Sequence, residues 1–252
     1  MKTVVRNLPA YCCTLVVILA TANFAVAQQT LNFPRPSQKA SVMQRIGVTD
    51  VTITYSRPGV KNRKIWGDAL PTQKAEGTAT LDDQRIRPKE AVIVPYGHVW
   101  RTGANEATQF IVSDDVLING QPLKAGTYSL HTIPTRDEWT VIFNSDYGQW
   151  GSFTYDEKKD VLRVKAKPEA APDNQEWLIY TVDPVGDNSA QVNIRWEKLR
   201  VPFTVEVKDV NALALEKARA AVAAAKPDDW RTPLTAANYF LQNSDKSDDA
   251  EA

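Results

Sequence analysis

Apolar and polar residues alternate with a period of two along most of this chain, and that pattern leaves few folds open. Val51, Ile53 and Tyr55 alternate with Thr52, Thr54 and Ser56; Tyr128, Leu130 and Thr132 with Ser129, His131 and Ile133; Trp139, Val141 and Phe143 with Thr140, Ile142 and Asn144. Successive side chains of a strand point to opposite faces, so each run reads as a strand with one face buried. Similar runs cover 40–46, 108–112, 162–166, 177–182, 190–196 and 201–207, and Asn119-Gly120 between Val116-Leu117-Ile118 and Gln121-Pro122-Leu123 is a strong hairpin signal. No helical period interrupts these runs, so an all-β, antiparallel β-sandwich or jelly-roll-like body is expected over residues 28–208.

Helical spacing appears only afterwards. Residues 211–226 are alanine-rich and end at Pro227, and Thr232-Pro233 offers an N-cap and first residue for a second helix to about Leu241, so a short helical pair is expected within 209–243. Residues 244–252 read as an acidic, solvated tail. Residues 1–27 read as a secretory signal: Lys2 and Arg6 precede an apolar run, and Ala25-Val26-Ala27 is an A-x-A cleavage site before Gln28. Both cysteines, Cys12 and Cys13, fall inside that signal, so the mature chain is expected to have no disulfide and no thiolate nucleophile. Losing Lys2 and Arg6 leaves 28 basic against 30 acidic residues, a formal charge of −2, with no basic cluster to attract nucleic acid. The expected product is exported, periplasmic or extracellular, and without a stable membrane anchor.

Chemistry-bearing side chains concentrate in residues 95–108. There Tyr96, His98, Trp100, Arg101, Asn105 and Glu106 lie between two strand-like runs, with Gly97 and Gly103 allowing tight turns. Such a stretch could hold a ligand or the fold; in the second case Arg101 and Glu106 are expected to form a charge-assisted pair, with Asn105 bonding neighbouring backbone. Residues 71–89, before it, are polar and lack apolar periodicity, which suggests an exposed excursion.

With these residues in view the chain resembles a large family of exported bacterial proteins known as domain of unknown function 2911. The resemblance rests on Tyr55-Ser56-Arg57-Pro58, Ile65-Trp66-Gly67, Pro95-Tyr96-Gly97 with Val99-Trp100-Arg101-Thr102-Gly103-Ala104-Asn105-Glu106-Ala107-Thr108, Ala125-Gly126-Thr127-Tyr128, and Asp137-Glu138-Trp139-Thr140-Val141-Ile142-Phe143-Asn144. It implies an exported β-rich domain and brings no catalytic residue with it. Two features depart from the family pattern. The excursion 71–89 separates Trp66-Gly67 from Pro95-Tyr96-Gly97 and could form a flap over the central stretch, and a single helical pair stands where longer members carry pairs resembling tetratricopeptide repeats. One pair cannot bury its own apolar face, so it is expected to lean on the sandwich or on a protein partner.

Several chemistries can be weighed from residue types. There is no G-x-S-x-G, S-x-x-K, H-E-x-x-H or Walker-type glycine loop. A carboxylate pair would need Glu106 to face Asp114, Glu138 or Asp146. His98 and His131 could join Glu106 in a metal site, but neither lies in an H-x-H pair, and His131 shares its strand face with Ser129 and could face solvent; no metal or cofactor is expected. Trp139 and Trp177 alternate with polar neighbours and read as core, whereas Trp66, Trp100 and Trp150 lie in loops and read as candidates for stacking on a sugar or a cation. Arg57, Lys61, Arg63 and Lys64 could meet an anionic group but read by default as a solvated basic loop. The expectation is a ligand-binding or structural module for a small molecule or glycan, with Trp66, Tyr96, His98, Trp100, Arg101, Asn105, Glu106, His131 and Trp150 as candidate site residues. A carboxylate-dependent hydrolase acting on an envelope or polysaccharide substrate, and a scaffold using the terminal helices, are the alternatives.

Overall fold

The computed structural model describes residues 33–73, 81–83 and 87–243. The expected signal segment 1–27 and acidic tail 244–252 lie outside the described residues. The chain divides into two compact units, Met1–Pro34 and Arg35–Ala252, and all that follows concerns the second.

The described residues of this unit form twelve strands and two α-helices. The strands are β1 (Gln38–Ile46), β2 (Thr49–Arg57), β3 (Trp66–Gly67), β4 (Val94–Pro95), β5 (Thr108–Val112), β6 (Val116–Ile118), β7 (Gln121–Leu123), β8 (Gly126–Ile133), β9 (Trp139–Asn144), β10 (Asp160–Ala166), β11 (Glu169–Gly186) and β12 (Ser189–Glu206); α1 (Val210–Ala224) and α2 (Arg231–Asn243) follow. Six strands form one antiparallel sheet in the order β1-β2-β5-β8-β9-β10, and four form a second in the order β11-β12-β6-β7. The short strands β3 and β4 pair in parallel. The fold is therefore the expected all-β body, with α-helix among the described residues only at its C-terminal end.

The alternation sets the register. Val51 faces Val112 and Ile53 faces Phe110 across β2 and β5; Phe110 faces Tyr128, and Leu130 faces Phe143. One side of the six-stranded sheet is thus apolar and packs on Leu178, Tyr180, Val192, Ile194, Phe203 and Val205 of the other sheet, all buried. The two runs expected at 190–196 and 201–207 are one strand, β12. Their buried residues switch from even to odd numbers, and Glu197, at φ 55°, supplies the irregularity that keeps both runs facing the core.

Four indoles fill one part of this core. Trp66 meets Trp100, Trp139 and Trp196 edge to face at 5.6, 5.1 and 5.6 Å, and Trp100 stacks on Trp196 at 5.8 Å. Each such pair adds about 0.5–1.5 kcal/mol to the stabilisation from burial. Trp177, expected in the core, is instead partly exposed beneath the Lys61 ammonium, because the register of β11 shifts on both sides of Gln175.

The first helix leans on the sandwich. Its N-cap Asp209 accepts from the Ala212 N–H, Ala214 is buried, and Lys217 donates to the Val48 carbonyl at 2.8 Å and to Asp114 at 2.6 Å. Asp229 caps α2, accepting from the Arg231 and Thr232 N–H groups in place of the expected Thr232 cap. Among the described residues no helix is long and apolar enough to cross a membrane.

Candidate functional site

The central stretch is a structural clasp. Trp100 exchanges two backbone hydrogen bonds with Thr132 of β8, at 2.8 and 2.9 Å, and its indole N–H donates to the Gly103 carbonyl. Thr102 and Asn105 adopt left-handed backbone, at φ 53° and 60°. The Thr102 carbonyl accepts from the Thr108 hydroxyl at 2.9 Å and the buried Tyr180 hydroxyl at 2.8 Å. Gly103 leaves room for this turn, since a Cβ there would lie 2.8 Å from the Thr108 hydroxyl and 3.3 Å from the Ser56 carbonyl oxygen.

Arg101 does not pair with Glu106. Its Nε donates to Asp82 Oδ2 at 2.6 Å, its backbone N–H to the same oxygen at 3.1 Å, and its terminal nitrogens to the Asp82 and Asn105 carbonyls at 2.9 Å each. Ser152 adds a third donor to Asp82 Oδ2 at 3.0 Å. Both side chains are nearly enclosed, at 11% and 7% exposure. Leu81 and Asp82 therefore correct the reading of 71–89 as an exposed excursion: both are buried on a 3-10 turn, and Asp82 is a counter-ion of the central arginine. Asn105 likewise bonds a distant group, donating to the Ser37 carbonyl at 3.0 Å.

Trp66 and Trp100 are core residues, not a ligand platform. They lie in loops by sequence, but those loops fold into the sandwich and carry the indoles with them. Tyr96 is half-buried under the Arg136 guanidinium, which is 5.4 Å from its ring centroid. His98 is exposed on its turn. His131 is wholly buried rather than facing solvent, because residues 145–159 fold over the outer face of the six-stranded sheet and enclose Ser129, His131, Ile142 and Asn144. The His131 ring meets Tyr155 at 5.0 Å, and neither ring nitrogen has a hydrogen-bond partner among the described residues. Burial holds its pKa down at about 4 despite the nearby Asp82 and Asp160 carboxylates, so the imidazole is neutral at pH 7. Among the described residues no three His, Cys, Asp or Glu side chains gather to hold a metal ion, so His98, His131 and Glu106 do not form one.

Glu106 and Trp150 remain as an open pair. The Ala107 N–H donates to the Gln149 carbonyl and the Gly151 N–H to the Asn105 carbonyl, so backbone pairing sets Glu106 beside Trp150. Trp150 is 50% exposed, and the Arg35 guanidinium lies over its ring at 5.3 Å. Arg35 also donates to Glu106 Oε1 at 2.6 Å, while Oε2, screened from solvent, has no partner among the described residues. Burial pushes the Glu106 carboxyl up, but the hydrogen bonds from Arg35 and its own backbone, with the charges of Arg35 and Lys39, hold it below the ordinary value. Glu106 borders a depression of about 60 Å³ whose polar walls are Lys39, Thr54, Ser56 and Gln109. The other acids weighed against it have lysines of their own: Asp114 pairs with Lys217, Glu138 with Lys165 and Asp146 with Lys159. Asp82 and Arg35 are the partners that sequence reasoning missed; neither belongs to an apolar period or to the central stretch.

Fold and site together define a two-sheet antiparallel β protein with a tryptophan-filled core and a small polar shelf on its outer face. The chain belongs to the family described as protein of unknown function, DUF2911, whose match spans residues 37–205 of its 252. No curated protein and no solved structure matches it.

Proposed function

We propose that the chain acts, after export, as a ligand-binding module of the cell envelope, with its site at Trp150 and Glu106 and a small polar molecule or glycan as ligand. One observation carries this reading. A half-exposed indole and a carboxylate with one oxygen unpartnered among the described residues are fixed side by side by backbone pairing, and the carboxylate borders a depression walled by hydroxyls, a carboxamide and an ammonium. An aromatic face beside convergent polar groups suits recognition of a hydroxylated ring. Screening the mature protein on glycan and small-metabolite arrays tests it. The expected result is a ligand whose affinity falls at least about tenfold in Trp150→Ala and in Glu106→Gln, with the unfolding midpoint unchanged. Absence of any ligand, or a ligand indifferent to both changes, contradicts it.

A second reading has its own support in the helical pair, where Trp230 and Leu241 are 64% and 75% exposed. A protein partner docking there would be lost from Trp230→Ser/Leu241→Ser and retained by Glu106→Gln.

A further inference from the structure

The site at Trp150 and Glu106 already has an occupant, the chain's own Arg35, and that occupant reveals the chemistry the site selects. Arg35 places its guanidinium over the Trp150 ring and donates once to Glu106. A planar cation over an indole and a hydrogen bond to a carboxylate are the two contacts by which proteins recognise arginine side chains. Neither wall of the site depends on Arg35 for its position, since the backbone pairing of residues 105–107 with 149–151 sets both. Arg35 also uses the site incompletely. It engages only Oε1, although a guanidinium can bind both carboxylate oxygens in parallel, and Oε2 is left without a partner. The pair is exposed on both sides, at 46% and 42%, so it holds weakly and can exchange.

We propose that Trp150 and Glu106 form a receptor for the arginine side chain of a peptide, and that Arg35 is an internal competitor which such a peptide displaces. The proposal rests on the binding-module reading above and replaces its broad ligand class with a cationic one. Ser37, whose carbonyl accepts from Asn105, anchors the segment that carries Arg35, so displacement requires only that residues 33–36 swing aside. Lys39, on the wall of the depression, offers a neighbouring cation for the peptide's own carboxylates or carbonyl oxygens.

N-acetyl-arginine amide is the probe, titrated into the mature chain and into Arg35→Ala while Trp fluorescence is followed, with circular dichroism confirming that both are folded. A tethered competitor acts at an effective concentration of about the millimolar order, so Arg35→Ala is expected to bind the probe about tenfold more tightly than the parent. Arg35→Lys, which keeps the charge and loses the planar fork, is expected to fall between them, and adding Glu106→Gln or Trp150→Ala to Arg35→Ala abolishes binding. Equal affinity in the parent and in Arg35→Ala overturns the proposal. If neither binds the probe while a neutral glycan binds in a Trp150-dependent way, the arginine receptor fails and the binding module survives. If nothing binds, both fall.

Discussion

Replacing Asp82 by alanine is the most informative single change to the fold. The carboxylate receives the Arg101 Nε–H, the Arg101 backbone N–H and the Ser152 hydroxyl on one oxygen, with little solvent in reach. Taking away the carboxylate that balances an enclosed guanidinium costs about 3–5 kcal/mol. For a domain of this size that corresponds to a fall in Tm of roughly 6–20 °C. Arg101→Ala is expected to cost less, since Asp82 keeps Arg87 at 4.0 Å and the Ser152 hydroxyl at 3.0 Å. In the double variant both charges of the pair are removed together, so its cost should fall short of the sum of the singles by about 2 kcal/mol or more. Urea unfolding followed by tryptophan fluorescence measures this directly, because four indoles lie together in the core beside the clasp. Singles that cost under about 1 kcal/mol, or a double that equals their sum, would mean that the pair is solvent-screened and that the clasp does not hold the central stretch.

Trp100→Ala removes the indole that both stacks on Trp196 and meets Trp66, and should cost about 3–5 kcal/mol in the same assay, whereas Trp150→Ala should cost under about 1 kcal/mol. His131 is neutral in the folded protein down to about pH 4, while in the unfolded chain it takes up a proton near pH 6.5. Stability should therefore decline as pH falls from about 6.5 to about 4, by roughly 3 kcal/mol from this residue, and His131→Leu should flatten that part of the profile. The exported product should begin at Gln28; an intact mass that still includes residues 1–27 in the secreted fraction would refute the signal reading.

The strands were legible because their signal is local. Val51, Ile53 and Tyr55 need only a period of two to announce a buried face, and Asn119-Gly120 announces its hairpin by backbone preference alone. What closes the ends of the sandwich was not legible. Trp66 and Trp100 sit in loops, and loops usually run over the surface, yet these two turn inward and add their indoles to those of Trp139 and Trp196. Likewise His131 occupies the outer face of β8, as its parity with Ser129 implied; that this face is dry depends on residues 145–159 folding across it, a long-range event with no periodic signature. The same holds for the charges. Arg101 has an acid five residues away in Glu106 and bonds one nineteen residues back instead, because the 3-10 turn at Leu81–Asp83 is brought against the clasp. Of the nine candidate site residues, Glu106 and Trp150 are the two that the fold leaves together and open.

A nitrogen-15 NMR titration of Arg35→Ala with N-acetyl-arginine amide distinguishes a clasp at Trp100 and Arg101 from a receptor at Glu106 and Trp150. The predicted result is a set of shifts centred on the Trp150 indole N–H and on the amides of Glu106, Ala107 and Gln109, with the indoles of Trp66 and Trp100 and the Arg101 Nε–H unmoved. Shifts centred on Trp100 and Arg101, with Trp150 unmoved, would contradict it.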